Sequence, residues 1–219
     1  MKQYSLNTSG SKFLLITARI LSYLFHPLFL PTFVFFWMSY RFPYLFAGMS
    51  VQGLLFRKIT VFWTTAFFPA VAVFLLSKLQ FVDSIYLKTQ KDRIIPYIIT
   101  MFFYWWIWYL SRSFTDQPSL LKPFYFGIFL TTIFGLIINN FIKISLHTIG
   151  AGSVAAFSFI ACLHYQRHLG ADIAICLILS GVIGSARLVN NSHNSVEIYS
   201  GYLVGILCQV LGYFLMVES

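Results

Sequence analysis

Charge is what this sequence has least of. Of its 219 residues only 10% are charged, and Asp and Glu together number 6, whereas a soluble domain carries roughly a quarter of its residues charged. Such a chain cannot clothe a water-exposed surface. A soluble nucleic-acid-binding protein is therefore excluded despite a formal net charge of +9, because the Lys and Arg residues stand singly or in small groups between apolar runs. Cysteine is scarce too. Cys162, Cys176 and Cys208 each fall inside an apolar run, without the clustered spacing of a zinc site or a disulfide framework. A His-Glu-x-x-His pair is lacking as well, so no metal or cofactor is expected. Lys2 and Lys12 precede an apolar stretch that continues through Pro27 and Pro31 without a small-residue cleavage site, which predicts no removable signal peptide. Internal repeats and low-complexity linkers are absent.

What fills the chain instead is hydrocarbon: 58% of residues are hydrophobic and mean hydropathy is +0.77. A helix crossing a bilayer needs about 20 mostly apolar residues. Seven runs qualify or nearly so: Phe13 to Tyr40, Ile59 to Leu79, Ile94 to Leu110, Pro123 to Ile142, Ile149 to Tyr165, Ala171 to Ala186 and Ile198 to Val217. The first contains His26-Pro27 and Pro31, and prolines at that spacing break or kink a helix. The expectation is an all-α, polytopic integral membrane helix bundle with six transmembrane helices, preceded by an N-terminal apolar segment that is a candidate seventh. It forms a single membrane domain over 1–219, divided into an N-terminal segment and loop (1–56) and a helical core (57–219). Aromatic residues crowd the run ends, as in Tyr104-Trp105-Trp106-Ile107-Trp108-Tyr109, and fit an interfacial belt.

Three polar loops, around 83 to 93, 143 to 148 and 187 to 197, are separated by pairs of crossings and so share one face. The first holds Lys88 and Arg93, the second Ser145 and His147, the third Arg187, His193 and Glu197. His193 and Glu197 are four apart, so on an opening helical turn the carboxylate can orient the imidazole. Ionisable groups at membrane depth are costly and are functional candidates. Together the loops supply cations for a small anion, an oriented imidazole as nucleophile and a second imidazole as proton donor, which is the equipment for metal-independent phosphoryl transfer to histidine. His26, His164 and His168 lie outside these loops and are expected to be interfacial. Gly150-Ala-Gly152-Ser153 lacks the glycine that an intramembrane serine protease would carry after its serine, and predicts close helix packing instead.

The third loop resembles the type 2 phosphatidic acid phosphatase superfamily, which includes membrane lipid phosphatases and vanadium haloperoxidases. Its Arg, five residues, His, three residues, Asp pattern is met at Arg187, His193 and Glu197, with Glu for Asp and with Ala186 where Ser is usual. The Pro-Ser-Gly-His motif looks like Ile144-Ser145-Leu146-His147 without its Pro and Gly. The Lys, six residues, Arg-Pro motif looks like Lys88 through Ile95-Pro96, with Arg93 as the candidate stand-in for the missing cation. The resemblance runs from about Leu87 to the C-terminus. It implies that His193 is the phosphohistidine nucleophile, Glu197 its orienting carboxylate and His147 the general acid, with Lys88, Arg93, Ser145 and Arg187 as phosphate ligands. The implied substrate is a lipid phosphate such as phosphatidate, phosphatidylglycerol phosphate or a polyprenyl diphosphate, with membrane lipids the other partners. A catalytically degenerate homologue that binds or moves a headgroup is the alternative.

Orientation follows from charge. If the first run makes no net crossing, Lys2, Lys12, Arg41, Arg57, Lys58, Arg112, Lys122 and Arg167 lie opposite the site, and Lys78, Lys91 and Lys143 lie beside it once the proposed ligands are set aside; if it does cross, Lys2 and Lys12 change sides, the counts become six against five, and the bias all but vanishes. Loops rich in Lys and Arg stay in the cytoplasm. The site is expected to face away from the cytoplasm, in an inner or plasma membrane.

Overall fold

The computed structural model describes residues 9–81, 87 and 89–217, and these are helical with no strand among them. In chain order they form α1 (Ser9–Leu24), α2 (Leu30–Arg41), α3 (Val51–Phe62), α4 (Phe68–Lys78), α5 (Gln90–Ser111), α6 (Leu121–Asn139), α7 (Leu146–His164), α8 (Gly170–Val189) and α9 (Ser195–Met216). A π-helical turn, Trp63–Phe67, joins α3 to α4 without a break in direction. Among the described residues seven segments are long and apolar enough to cross a bilayer: Lys12–Arg41, Val51–Lys78, Gln90–Ser111, Leu121–Asn139, Leu146–His164, Gly170–Val189 and Ser195–Met216. The protein is an integral membrane helix bundle.

Local chemistry sets the breaks. Pro27 and Pro31 cannot donate a backbone hydrogen bond, and the chain turns between α1 and α2 through a 3-10 turn, Pro27–Phe29, whose cap is Nδ1 of His26 accepting from the Leu28 amide. Val51–Lys78 starts eight residues before the apolar run expected from Ile59, because Ser50 accepts from the Gly53 amide at 3.0 Å and caps a turn that the charges of Arg57 and Lys58 had masked. α5 and α9 each open on a reciprocal capping box, Thr89 with Asp92 and Asn194 with Glu197, which satisfies two otherwise orphaned amides per helix.

α9 is the axis of the bundle, packed on α7 and α6. Glycines permit the approach. A methyl group at Gly205 would collide with the Ile149 carbonyl, one at Gly201 with Thr148, one at Gly152 with the Tyr202 carbonyl 2.6 Å away, and one at Gly212 with the Pro123 carbonyl 2.8 Å away. Gly201 and Gly205 are one turn apart and form the small-residue seam that lets membrane helices touch backbone to backbone. The opening turns of α7 and α9 are therefore side by side, tied by the Ser145 amide donating to the Glu197 carbonyl at 3.2 Å.

The two ends of the bundle are chemically distinct. Arg41 at the end of α2 pairs with Asp172 in the first turn of α8 at 2.8 Å, and Arg57 pairs with Asp116 at 3.1 Å. His26, preceding α2, sits instead beside His147 at the start of α7, with ring centroids 5.6 Å apart. α2 thus runs from the His147 end of the bundle toward the Asp172 end.

Candidate active site

The three polar loops meet at one end through backbone carbonyls. Arg93, only 6% exposed, donates from Nε to the Leu87 carbonyl and from Nη1 to the Ile144 carbonyl, both at 2.9 Å. Lys143 donates to the Ser192 carbonyl at 3.3 Å. A buried guanidinium held by two neutral carbonyls keeps its charge uncancelled, and the remaining face of Arg93 opens onto a chamber of about 840 Å³.

His193 is on the wall of that chamber, its side chain 2% exposed. Its Nδ1 lies 2.7 Å from Oε2 of Glu197 and 3.0 Å from the Lys143 carbonyl. Both partners can only accept, so the proton of the neutral imidazole is on Nδ1 and the lone pair is on Nε2, which has no hydrogen-bond partner among the described residues. Burial lowers the His193 pKa to about 4; the hydrogen bond to Glu197 works against this, and Arg93 and Arg187 reinforce it. The ring is consequently neutral at physiological pH. Burial, with the field of Arg93 and Arg187, likewise holds Lys143 below the ordinary lysine value, against an opposing pull from Glu197.

Arg93, His147, Arg187 and His193 all line the chamber. Glu197 stands behind His193 and is not part of the wall. Ser145 is fully buried at the N-cap of α7, its hydroxyl without a partner, and it too lies outside the lining. Lys88 falls outside the described residues. Ile95, at the position where the resemblance would place an arginine, is 37% exposed on the outer surface, and Arg93 is the residue that turns inward. The chamber wall carries Arg19, Arg93, Lys143 and Arg187, and no Asp or Glu among its described residues. Such a wall presents a positive field to whatever enters it. The Nε of Arg187 is buried with no partner, an unmet donor of the kind a bound oxyanion satisfies.

No known protein family, no curated protein and no solved structure matches this chain.

Two groups on the wall were not visible as site residues in the sequence. His26, expected at the interface, lines the chamber, and Ser22 lies with it. The carbonyl of Ser22 accepts from Nε2 of His147 at 3.0 Å, and its hydroxyl accepts from Nη1 of Arg187 at 3.2 Å. Neither residue belongs to a spaced motif; Ser22 reaches the site because α1 packs on α8, and His26 because the turn it caps, Pro27–Phe29, packs on α7. Beneath the chamber a second cavity of about 300 Å³ descends among α2, α4, α5, α6 and α7. Its wall is mostly apolar and includes Pro96, Tyr97, Thr100 and Tyr104, one face of α5. Arg93, His26, Pro27, Leu87 and Leu146 are common to both cavities.

Proposed function

We propose that this protein is a membrane lipid phosphatase of the type 2 phosphatidic acid phosphatase superfamily, hydrolysing a phosphomonoester or diphosphate headgroup through a phosphohistidine. The observation that carries the proposal is His193, with Nδ1 held by two acceptors and Nε2 without a hydrogen-bond partner among the described residues, on a chamber lined by cations. In this mechanism Nε2 attacks phosphorus, the bond from phosphorus to the lipid oxygen breaks, and His147 protonates the departing oxygen. Water then attacks the phosphohistidine and gives its proton to His147, releasing inorganic phosphate and the neutral imidazole. Arg93 and Arg187 neutralise charge on the equatorial oxygens, as does Lys143 while it is protonated. Glu197 is a positioning residue that holds the tautomer. The apolar cavity joined to the chamber supports an amphiphilic substrate with its tail in the bundle.

A catalytically degenerate homologue that binds or moves a headgroup is favoured by one feature: Ser145 is turned away from the chamber. Phosphate release by purified protein from phosphatidate, phosphatidylglycerol phosphate and a polyprenyl diphosphate separates the two. Release that disappears in His193→Ala is expected; binding of these lipids without release from any of them would overturn the hydrolase.

The site is proposed to face away from the cytoplasm. The proposal rests on the N-terminal run making no net crossing, which would add Lys2 and Lys12 to Arg41, Arg57, Lys58, Arg112, Lys122 and Arg167 at the opposite end of the bundle, where the bias of basic loops would then place the cytoplasm.

A further inference from the structure

α1 ends in a way that frees one carbonyl. Just before Pro27 the His26 amide bonds to the Tyr23 carbonyl, a tightened final turn that leaves the Ser22 carbonyl without the usual partner four residues on. That oxygen is the one accepting from His147. The Ser22 hydroxyl donates to the Ala18 carbonyl at 2.8 Å, so what it turns toward Arg187 is a lone pair. One residue thus offers two acceptor oxygens, one to the proposed proton donor and one to a proposed phosphate ligand.

A phosphate ester presents the same two oxygens: a bridging oxygen that takes a proton as it leaves, and a non-bridging oxygen that accepts from a guanidinium. We infer that Ser22 occupies the place of the substrate, marking the leaving-group subsite at His147 and an oxyanion subsite at Arg187, and that α1 is a cover displaced when a tetrahedral oxyanion binds. The inference rests on the proposed phosphoryl chemistry for the identity of that anion. With its Nε2 proton engaged by Ser22, His147 cannot donate that proton to a leaving group until α1 moves.

The helix is suited to displacement. Phe13, Leu14, Ile16, Ile20 and Leu24 are each more than half exposed, and Ala18 is the buried residue among the described side chains of α1. In lipid, separating such a helix exposes no apolar surface to water, so its hold on α8 lacks the hydrophobic term that fixes helices in soluble proteins. The polar tie at Ser22 is then a large part of what keeps it closed.

The test uses the full-length protein and inorganic phosphate. In Ser22→Cys, alkylation of residue 22 by a small maleimide, followed by peptide mass spectrometry so that Cys162, Cys176 and Cys208 are read apart, should quicken severalfold in millimolar orthophosphate. In Ser22→Ala, orthophosphate should bind about tenfold to a hundredfold more tightly, the worth of one competing hydrogen bond to a charged group, while Ser22→Thr keeps the original affinity. Slower or unchanged alkylation in phosphate, or weaker or equal binding by Ser22→Ala, would overturn the cover. Quickened alkylation with no phosphate released from any lipid would leave the cover standing and sink hydrolysis. Hydrolysis with alkylation unmoved would do the reverse, and failure of both would sink both.

Discussion

Replacing Glu197 by Ala removes two things at once, and their sizes can be separated. Oε2 accepts the 2.7 Å hydrogen bond from Nδ1 of His193 and also one from the Asn194 amide, while Oε1 accepts from the Asn194 side chain. A hydrogen bond to a charged group contributes about 1.5–3 kcal/mol. The Lys143 carbonyl remains 3.0 Å from Nδ1, so the imidazole keeps one acceptor and its tautomer. The lower end applies, about 1.5 kcal/mol, or roughly a tenfold slower formation of phosphohistidine. Loss of the Glu197 half of the capping box costs up to a further ~1 kcal/mol in stability alone, since the Asn194 side chain still accepts from the residue-197 amide. Asn194→Ala is the control: it removes the Asn194 cap bond and one donor to Oε1 but leaves the Oε2 bond to His193 in place. Rapid-quench measurement of the phosphoenzyme, normalised to folded protein, should show a tenfold deficit in Glu197→Ala and near-normal formation in Asn194→Ala, with both melting at lower temperature. Equal deficits in the two variants would reduce Glu197 to a helix cap and refute its role in orienting His193.

Arg93→Ala should abolish most phosphate release and lower thermal stability, because the Leu87 and Ile144 carbonyls lose their donor, an expense of about 1–3 kcal/mol for each group left buried and unpaired. Lys91→Ala, at an exposed position, should leave both unchanged; similar effects at the two would assign Arg93 to the headgroup layer. The His193 pKa, lowered to about 4, means that the reactive neutral ring persists as pH falls and is lost only on approaching that value. The initial rate of phosphoenzyme formation should therefore hold well below pH 6.5, and an acid limb centred near 6.5 would show the ring to be solvated. Ser192→Cys should react with an impermeant thiol reagent in intact cells and Ser119→Cys should not; opposite labelling would reverse the orientation while leaving the grouping of the loops intact.

The helices and the convergence of the three loops were legible because both follow from local pattern. Apolar length sets the spans, and pairs of spans return successive loops to one face. The partnership of His193 and Glu197 was legible for a similar reason, since a spacing of four on an opening turn fixes proximity. The Lys143 carbonyl as a second acceptor was not, because backbone groups carry no residue identity. Ser22 and His26 escaped for a different reason. They sit in an apolar run where a polar residue reads as a cap or an interface, and only the packing of α1 on α8 and of the Pro27–Phe29 turn on α7 delivers them to the chamber. Arg57 and Lys58 misled in the opposite sense, ending an apolar run while the helix continued back to Val51.

The glycine seam between α7 and α9 has a mechanical consequence. Gly205 lies eight residues beyond Glu197, about 12 Å along the helix at 1.5 Å per residue, and there the two backbones already touch. The start of α9 is therefore held at two points, at the seam of Gly201 and Gly205 and at its tip, where the Glu197 carbonyl and His193 are tied to the residues that lead into α7. Any spreading at the seam falls as strain on those ties. A single methyl group at Gly205, far from any substrate, would act as a wedge that detunes the distance between the two histidines.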